Sequence, residues 1–413
     1  MKKTVIELFA GVGGFRVGLN NVESIDENGH AIENGNFKFV WANQWEPSTK
    51  IQHAFHCYNL RFPEAFNSNT DISLIDKKQI PNHSLLCGGF PCQDYSVAHS
   101  LSKEKGIEGK KGVLWWQIRD ILVVKKTPFT FLENVDRLIK SPAKQRGRDF
   151  GIMLRCLDDL GYAVEWRIIN AADYGFPQRR RRIYIFAYKR GTNFYRNITR
   201  YNPESIIRNK GIFAKTFPIE NNELKIVQSD LRTYIDLVNF SNNYKFTFEN
   251  SGYMYRGVVY TARTTPIFIN PITLGDIIQE NVDERFYLSD NEVEKFEYLR
   301  GSKKIPRVNA NGHQYVYSEG AMSAFDDLAL PGRTMLTSEG SINRSTHIVM
   351  DSVTNRLRLL TPVECERLNQ FPDDWTNSGM PQKRRYFMMG NALVCGVIKK
   401  LGAEIEKIIE EEK

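Results

Sequence analysis

The sequence predicts an α/β protein: a doubly wound, mostly parallel sheet joined to a second, smaller, mainly β domain. Three observations predict it. Short apolar runs alternate with helix-like segments through residues 1–190, the pattern of repeated βαβ units. A glycine-rich turn follows the first apolar run and opens a helix, where such sheets commonly bind ligands. Beyond residue 190 the texture shifts to Asn, Tyr, Thr, Ser and Gly with short β-like pieces, and helical signals return only from Leu359.

TVIELFAG reads as the first strand, and GVGGFRVGLNN as its glycine turn and helix. FKFVWANQ and PSTKIQHAFHCYN repeat the pairing. SLLCGG, PFTFLENV and RRIYIFAY are further strands, separated by helical stretches such as LWWQIRDILVV and FGIMLRCLDDLG. In 191–350 the β-like pieces are YKFTFEN, GVVYTAR and HQYVYSEG, which predict a separate, irregular domain. TPVECERLNQF and the amphipathic ALVCGVIKKLGAEIEKIIEEEK are helices.

The 413 residues suffice for two or more domains with a sizeable core. A net charge of +8 favours a polyanionic partner. The six cysteines make no CxxC pair and no regular framework, which fits a reducing compartment. Cys57 lies near His53 and His56, but no second cluster completes a metal site, and none is expected. Met1-Lys2-Lys3 starts like a signal peptide, yet Glu7 interrupts the apolar run. No stretch approaches the roughly 20 apolar residues that span a bilayer. A soluble cytoplasmic protein without a membrane partner is expected.

Four stretches carry candidate chemistry. GGFPCQDYSVA (88–98) holds Cys92 behind two glycines and Pro91, on a stiff loop at a strand's C-terminal end. ELFAGVGGF (7–15) sets Gly11, Gly13 and Gly14 between strand and helix, without the GxGxxG spacing of a pyrophosphate site, so it suits a small adenosine-bearing ligand. About thirty residues on, NQWEP (43–47) offers Trp45 to stack on adenine and Gln44 or Glu46 to bond ribose hydroxyls. FLENV (131–135) ends in Glu133, whose pKa would rise if closed off from water, as proton donation requires.

QRRRRIYIF (178–186) places four arginines before a β run, so Arg180 and Arg182 should share one face and Arg179 and Arg181 the other. Between Gln178 and Lys210 ten Lys/Arg accompany one acid, Glu204, a density suited to phosphates. Singly, each stretch has an ordinary explanation: an inert loop cysteine, a tight turn, a core tryptophan, a solvated glutamate, a solvated basic edge.

Together and in this order, the stretches resemble the cytosine-5 DNA methyltransferase family. ELFAGVGGFRVGL looks like its first motif and GGFPCQDYS its proline–cysteine motif. KGVLWWQIRDIL, FLENV and QRRRRIYIFA follow in register, and RLRLLTPVECERLNQFPDDW and GNALVCGVI are similar to its last two motifs. The resemblance covers about residues 1–190 and 355–398. It implies an S-adenosylmethionine-dependent, Rossmann-like methyltransferase fold in three parts. These are a catalytic and cofactor-binding domain (1–190), a target-recognition domain (191–350) and a C-terminal segment (351–413) that returns to complete the first. It also implies a monomeric bacterial enzyme of restriction–modification type acting on duplex DNA in the cytoplasm. A restriction endonuclease would share its target sequence without being a physical partner.

By resemblance, Cys92 adds to cytosine C6 and makes C5 nucleophilic toward a methyl sulfonium; the thiolate, from a thiol of ordinary pKa ~8.5, is the reactive form. Glu133 would bond N3 and the 4-amino group and protonate the ring. Arg182 would contact the same base, and Arg180 a nearby phosphate or the adjoining loop. Phe9, Gly11, Gly13, Gly14, Phe15, Trp45, Asp71, Ile72, Pro91, Leu114, Asn391 and Ala392 would surround S-adenosylmethionine, with no metal. The family carries an acid where Gln44 stands, which leaves the ribose to Gln44 or to Glu46.

Gln93, Ser96, Gln178, Arg180, Arg182, Thr337 and Ser338 would contact DNA, and Arg196 and Arg200 its phosphates. Residues 95–112 look like a loop that closes over DNA, and PGRTMLTSEGSINRS (331–345) resembles the recognition core. The target cytosine must leave the duplex, at a cost of roughly a few kcal/mol. A tRNA cytosine-5 methyltransferase of the same fold is the alternative, against which the long 191–350 insert argues. The absent GxGxxG spacing argues against a nucleotide-dependent oxidoreductase. The joint presence of Cys92, Glu133 and Gln178-x-Arg180-x-Arg182 argues against an inactive DNA-binding regulator.

Overall fold

The computed structural model describes residues 1–64, 66–90, 114–309 and 312–412. One large sheet holds β1 (Thr4–Leu8), β2 (Lys38–Asn43), β3 (Asn67–Ser68), β4 (Leu85–Gly89), β5 (Phe129–Val135), β6 (Tyr162–Asn170), β7 (Arg181–Lys189), β8 (Val227–Asp230), β9 (Ser251–Tyr255) and β10 (Val258–Ala262). Their order is β3-β2-β1-β4-β5-β7-β6-β9-β10-β8. β1 to β5 run parallel, β7 lies antiparallel between β5 and β6, and the last three strands continue antiparallel.

Successive residues of the central strands serve opposite faces. Val5, Leu85, Phe129, Phe131, Tyr184 and Phe186 enter one core, and Ile6, Leu86, Leu132, Ile183 and Ile185 the other. Burial on both faces is why these strands read as continuous apolar runs rather than alternating ones. The helices that bear on the site are α1 (Gly14–Leu19), α2 (His53–Arg61), α3 (Leu114–Lys125), α4 (Arg148–Asp159), α5 (Pro362–Leu368), α6 (Gln382–Asn391) and α7 (Cys395–Glu410). α3 and α4 close the second core through Trp115, Ile118, Phe150 and Leu154.

α1 and α7 close the first core together. A Cβ on Gly18 would stand 2.5 Å from the Ile398 Cβ, so glycine lets the two helices touch. Trp375 Nε1 donates to the Val12 carbonyl at 2.7 Å, and Arg61 Nε on α2 donates to the Trp375 carbonyl at 2.8 Å. The C-terminal segment thus packs directly behind the first glycine turn.

The sheet does not stop where the sequence texture changes. β9 pairs with β6 from Val164↔Met254 to Arg167↔Ser251, and β10 and β8 extend it. The boundary expected at 190/191 therefore falls within a continuous sheet that runs on to Ala262. GVVYTAR is β10 of that sheet, while YKFTFEN forms no strand: Phe248 packs edge-on against Phe150 and Phe246. What stands apart is smaller. It comprises the helix Asp290–Arg300, the hairpin β11 (Lys303–Val308) and β12 (Gln314–Glu319), and β13 (Ile348–Met350) paired with β14 (Leu357–Leu359). Leu288, Phe296 and Ile348 form its own core.

Among the described residues no helix is long and apolar enough to cross a membrane, and no group of three His, Cys, Asp or Glu could hold a metal ion. Cys57 is buried, its Sγ 3.4 Å from the Trp375 carbonyl.

Candidate active site

The C-terminal ends of β1, β2, β4 and β5 share one edge of the sheet, and antiparallel β7 begins there, Val135 pairing with Arg182. Glu133 and Arg182 meet at that edge with Arg182 Nε 3.0 Å from Glu133 Oε1. Burial raises the Glu133 pKa, while the Arg182 and Arg180 guanidiniums pull it down. On neighbouring β4, a Cβ at Gly89 would stand 3.1 Å from Glu133 Oε2, so glycine leaves the carboxyl its room. The arrangement is a largely buried acid beside a cation at the C-terminal edge of the sheet. Asn134 Nδ2 donates to the Phe90 carbonyl at 2.8 Å and so fixes the end of β4 beside it. Pro91, Cys92, Gln93, Ser96 and the 95–112 loop lie outside the described residues.

The arginine run alternates as its strand period predicts. Arg180 and Arg182 turn inward, whereas Arg179 and Arg181 are exposed, Arg181 Nε lying 3.4 Å from Asp136 Oδ2. Gln178 is fully buried, which corrects its expected place on DNA. Its Nε2 donates to Asn369 Oδ1 at 3.0 Å, and its Oε1 accepts from the Met335 N–H at 3.2 Å. Arg180 is likewise enclosed and braces protein rather than phosphate: Nη1 donates to the Met335 carbonyl at 3.1 Å and Nη2 to the Gly390 carbonyl at 2.9 Å. Burial, with Arg182 nearby, pushes its pKa down to about 9. Strand period tells which side a residue faces, not what lies on that side.

Arg196 and Arg200, both exposed, lie away from that edge. β7 carries the chain nine residues away from the Glu133 edge, about 31 Å at ~3.4 Å per residue. Beyond its end the Asn193 and Phe194 N–H groups donate to the Glu412 carboxylate at the opposite rim. The basic run is thus split between two ends of the sheet, and its first part lies beside Glu133.

At the glycine turn, Gly11 (φ 56) and Gly13 (φ 91) take left-handed backbone, and a Cβ on Gly11 would meet nothing within 4 Å. Phe9 adopts φ 53 despite its side chain. Gln44 Oε1 accepts the Gly11 N–H at 2.8 Å. Trp45 is exposed at the same edge, while Glu46 Oε2 is buried with no partner, its backbone N–H held by Gln52 Oε1 at 2.8 Å. Asp71 Oδ1 accepts the Ser73 N–H at 2.9 Å, and Ile72 is buried.

Phe15 turns into the core, edge-on to Phe131 at 5.3 Å. Leu114, half-buried, starts α3; Asn391, exposed, and Ala392, half-buried, end α6. Thr337 is exposed and Ser338 half-buried in the loop after Met335. Gly390 lets that loop approach, since a Cβ there would be 2.5 Å from the Thr337 nitrogen.

Sequence reasoning missed Glu7. It lies fully buried in β1, accepts from the Tyr58 hydroxyl at 2.9 Å, and burial pushes its pKa up to about 8. The signal was available: an acid inside the apolar run TVIELF.

The family model for C-5 cytosine-specific DNA methylases matches residues 3–407. The type II methyltransferase M.Sau3AI of Staphylococcus aureus is 52% identical over 409 residues, covering 98% of this chain and 96% of that protein. M.HhaI of Haemophilus parahaemolyticus, also a type II methyltransferase, is 32% identical over 188 residues, 46% of this chain and 50% of that protein. Among solved structures, Spodoptera frugiperda DNMT2 aligns with a TM-score of 0.59 at 16% identity over 99% of both chains. The Entamoeba histolytica methyltransferase EhMeth aligns at 0.57 and 18%, over 100% of this chain and 99% of that one. At such identity these two bear on the fold alone, and they agree with a methyltransferase sheet flanked by helices. With the family model spanning almost the whole chain, and a relative of the same length at half identity, the chain belongs to the C-5 cytosine-specific DNA methylase family.

Proposed function

We propose that the chain methylates C5 of a cytosine extruded from a specific duplex DNA sequence, with Cys92 as nucleophile and Glu133 as acid. The observation that carries this reading is the largely buried Glu133 carboxyl, raised in pKa by burial, beside Arg182 at the C-terminal edge of the sheet. Cytosine C5 is a weak nucleophile. Addition of the Cys92 thiolate to C6, with Glu133 delivering its proton to N3, leaves an enamine whose C5 is electron-rich. S-adenosylmethionine, when bound, supplies the electrophilic methyl group that this activated carbon takes. Loss of the C5 proton, return of the N3 proton and elimination of sulfur then free Cys92 and the methylated base.

The chain's own groups fit that cofactor. Open space lies beside Gly11, and Trp45 presents an exposed ring at the same edge. Glu46 is the residue we assign to the ribose hydroxyls, because its Oε2 is buried without a partner whereas the Gln44 amide oxygen already holds the Gly11 N–H. Target choice belongs to residues 263–350, a narrower region than 191–350, since β8 to β10 are part of the main sheet. Thr337 and Ser338 head the loop that would meet base edges. A role as the modifying half of a restriction–modification pair follows the Staphylococcus aureus relative.

Sequencing methylated cytosines in DNA from cells expressing the protein tests the reading, alongside methyl transfer to duplex DNA and to tRNA in vitro. Methylation at one fixed duplex motif is expected, abolished by Cys92→Ser with cofactor affinity retained. Absence of methylated cytosine, or preference for tRNA, would overturn it.

A further inference from the structure

Gln178 and Arg180 are polar, enclosed and unused by the chemistry above. The segment entering β7 and the root of the recognition loop are stitched together residue by residue. The Gly332 N–H donates to the Pro177 carbonyl at 2.8 Å, and the Arg179 N–H donates to the Gly332 carbonyl at 2.8 Å. Thr334 Oγ1 donates to the Arg179 carbonyl. The side chains then complete the seam: Gln178 takes the Met335 N–H and Arg180 the Met335 carbonyl, at 3.2 and 3.1 Å. Both backbone groups of a fully buried Met335 are therefore held by residues two apart in the segment entering β7.

What lies on either side of this clamp gives it meaning. Immediately after Met335 the chain turns outward, with Leu336 and Thr337 exposed. Two residues after Arg180, just inside β7, Arg182 meets Glu133. The clamp also holds the end of α6, through Arg180 to the Gly390 carbonyl and through Gln178 to Asn369, whose Nδ2 donates to the Met389 carbonyl at 2.8 Å. Arg180 Nε is buried without a partner. Enclosing a guanidinium with one N–H unsatisfied is costly, and an apolar side chain would pack at lower cost. Simple anchoring needs no such group, because the backbone bonds of Gly332 already supply it.

We propose that Gln178 and Arg180 are positioning residues that couple target reading to catalysis, by fixing the root of loop 336–345 to the strand that carries Arg182. A loop seated on the correct bases then sets Arg182 and Glu133 in register with the cytosine, and a loop displaced by a wrong base moves them out of it. This rests on the reading that Glu133 and Arg182 act on a cytosine chosen by that loop.

The test uses the full-length protein, the duplex target found by methylation sequencing, and duplexes with one base of the target changed. Gln178→Leu removes the acceptor for the Met335 N–H. Gln178→Glu keeps that acceptor and its approach to Arg180. Gln178→Leu should lower kcat on the target duplex at least ~10-fold and compress the target to near-target ratio of kcat/KM by at least ~10-fold, with its Kd for the target duplex within about threefold of wild type. Gln178→Glu, which gives up the donor to Asn369 Oδ1, should recover only part of both losses, and S-adenosylhomocysteine affinity should hold in both variants. Arg180→Lys, which keeps one donor toward Met335, should show the same compression in milder form, so the outcome stands even if the leucine variant fails to fold. A fall in thermal midpoint with unchanged discrimination in the soluble variants would make the clamp merely structural and overturn the proposal. So would a Kd that rises in step with the falling discrimination, because that marks a direct DNA contact. The wild-type arm separates the two claims. No methylation there defeats the enzymatic reading, whereas wild-type methylation with unaltered discrimination in the variants defeats the clamp alone.

Discussion

Arg182 Nε lies 3.0 Å from Glu133 Oε1, diagonally across two antiparallel strands at the open edge of the sheet. One carboxyl thus feels opposed influences: burial raises its pKa, and the guanidinium lowers it.

Removing the guanidinium should let burial act unopposed by it. If the protonated acid serves the reaction, the rate falls as pH rises through the Glu133 pKa. In Arg182→Gln the descending limb of kcat against pH should therefore move to higher pH, with kcat itself lower. Glu133→Gln should lower kcat by ~10²–10⁴-fold while DNA affinity holds. A limb that stays in place in Arg182→Gln assigns the titration to another group.

Glu7 gives stability a pH dependence. Its pKa in the fold is about 8, against ~4.3 in an unfolded chain. Between those values the folded state holds the extra proton, so this contribution to stability is full below about pH 4 and is lost as pH rises toward 8. Glu7→Gln retains an acceptor for the Tyr58 hydroxyl and cannot ionise. Its thermal midpoint should exceed that of wild type at pH 8 and lose that advantage at pH 5; parallel curves for the two proteins would refute the assignment.

The ribose assignment predicts an asymmetry between neighbours. Glu46→Gln should weaken S-adenosylhomocysteine binding, measured by calorimetry, by about 1.5–3 kcal/mol, the range for a hydrogen bond to a charged group. The same substitution should barely change the affinity of a ligand lacking the ribose hydroxyls. Wild-type affinity in Glu46→Gln would return the role to Gln44.

Phosphate binding should follow the geometry of β7 rather than the density of the basic run. Arg179→Gln with Arg181→Gln, both exposed at the catalytic edge, should reduce the slope of log Kobs against log salt by about 1 for each phosphate no longer neutralised. Arg196→Gln with Arg200→Gln should leave that slope unchanged. A reduced slope in the second pair would mean that DNA wraps to the opposite rim.

Much of this was legible in the chain itself. The parallel strands announce themselves because burial on both faces demands largely apolar runs such as TVIEL and FTFL, and the glycine turn follows from positive φ at Gly11 and Gly13. Pairing partners were not legible. β9 and β10 look locally like strands of any sheet, and only the register Val164↔Met254 reveals which one they extend. The arginines show the same limit. A period of two turned Arg180 and Arg182 the same way, yet Arg180 finds Met335 and Gly390, 155 and 210 residues along the chain, while Arg182 finds the carboxylate. Nothing local distinguishes a basic residue that braces from one that acts.

Trp375 reaches back across 363 residues to the carbonyl of Val12, and Ile398 lies against Gly18. On the ribosome, the glycine turn and its helix emerge 363 residues before Trp375, part of the wall behind them. Contacts so distant in sequence form late and make folding slow. A nascent or truncated chain would therefore hold every strand of the sheet and still lack a firm seat for the methyl donor. In a growing cell, new molecules of this protein would begin to mark DNA only after α7 has docked, so activity trails translation of the catalytic strands by the time that docking takes.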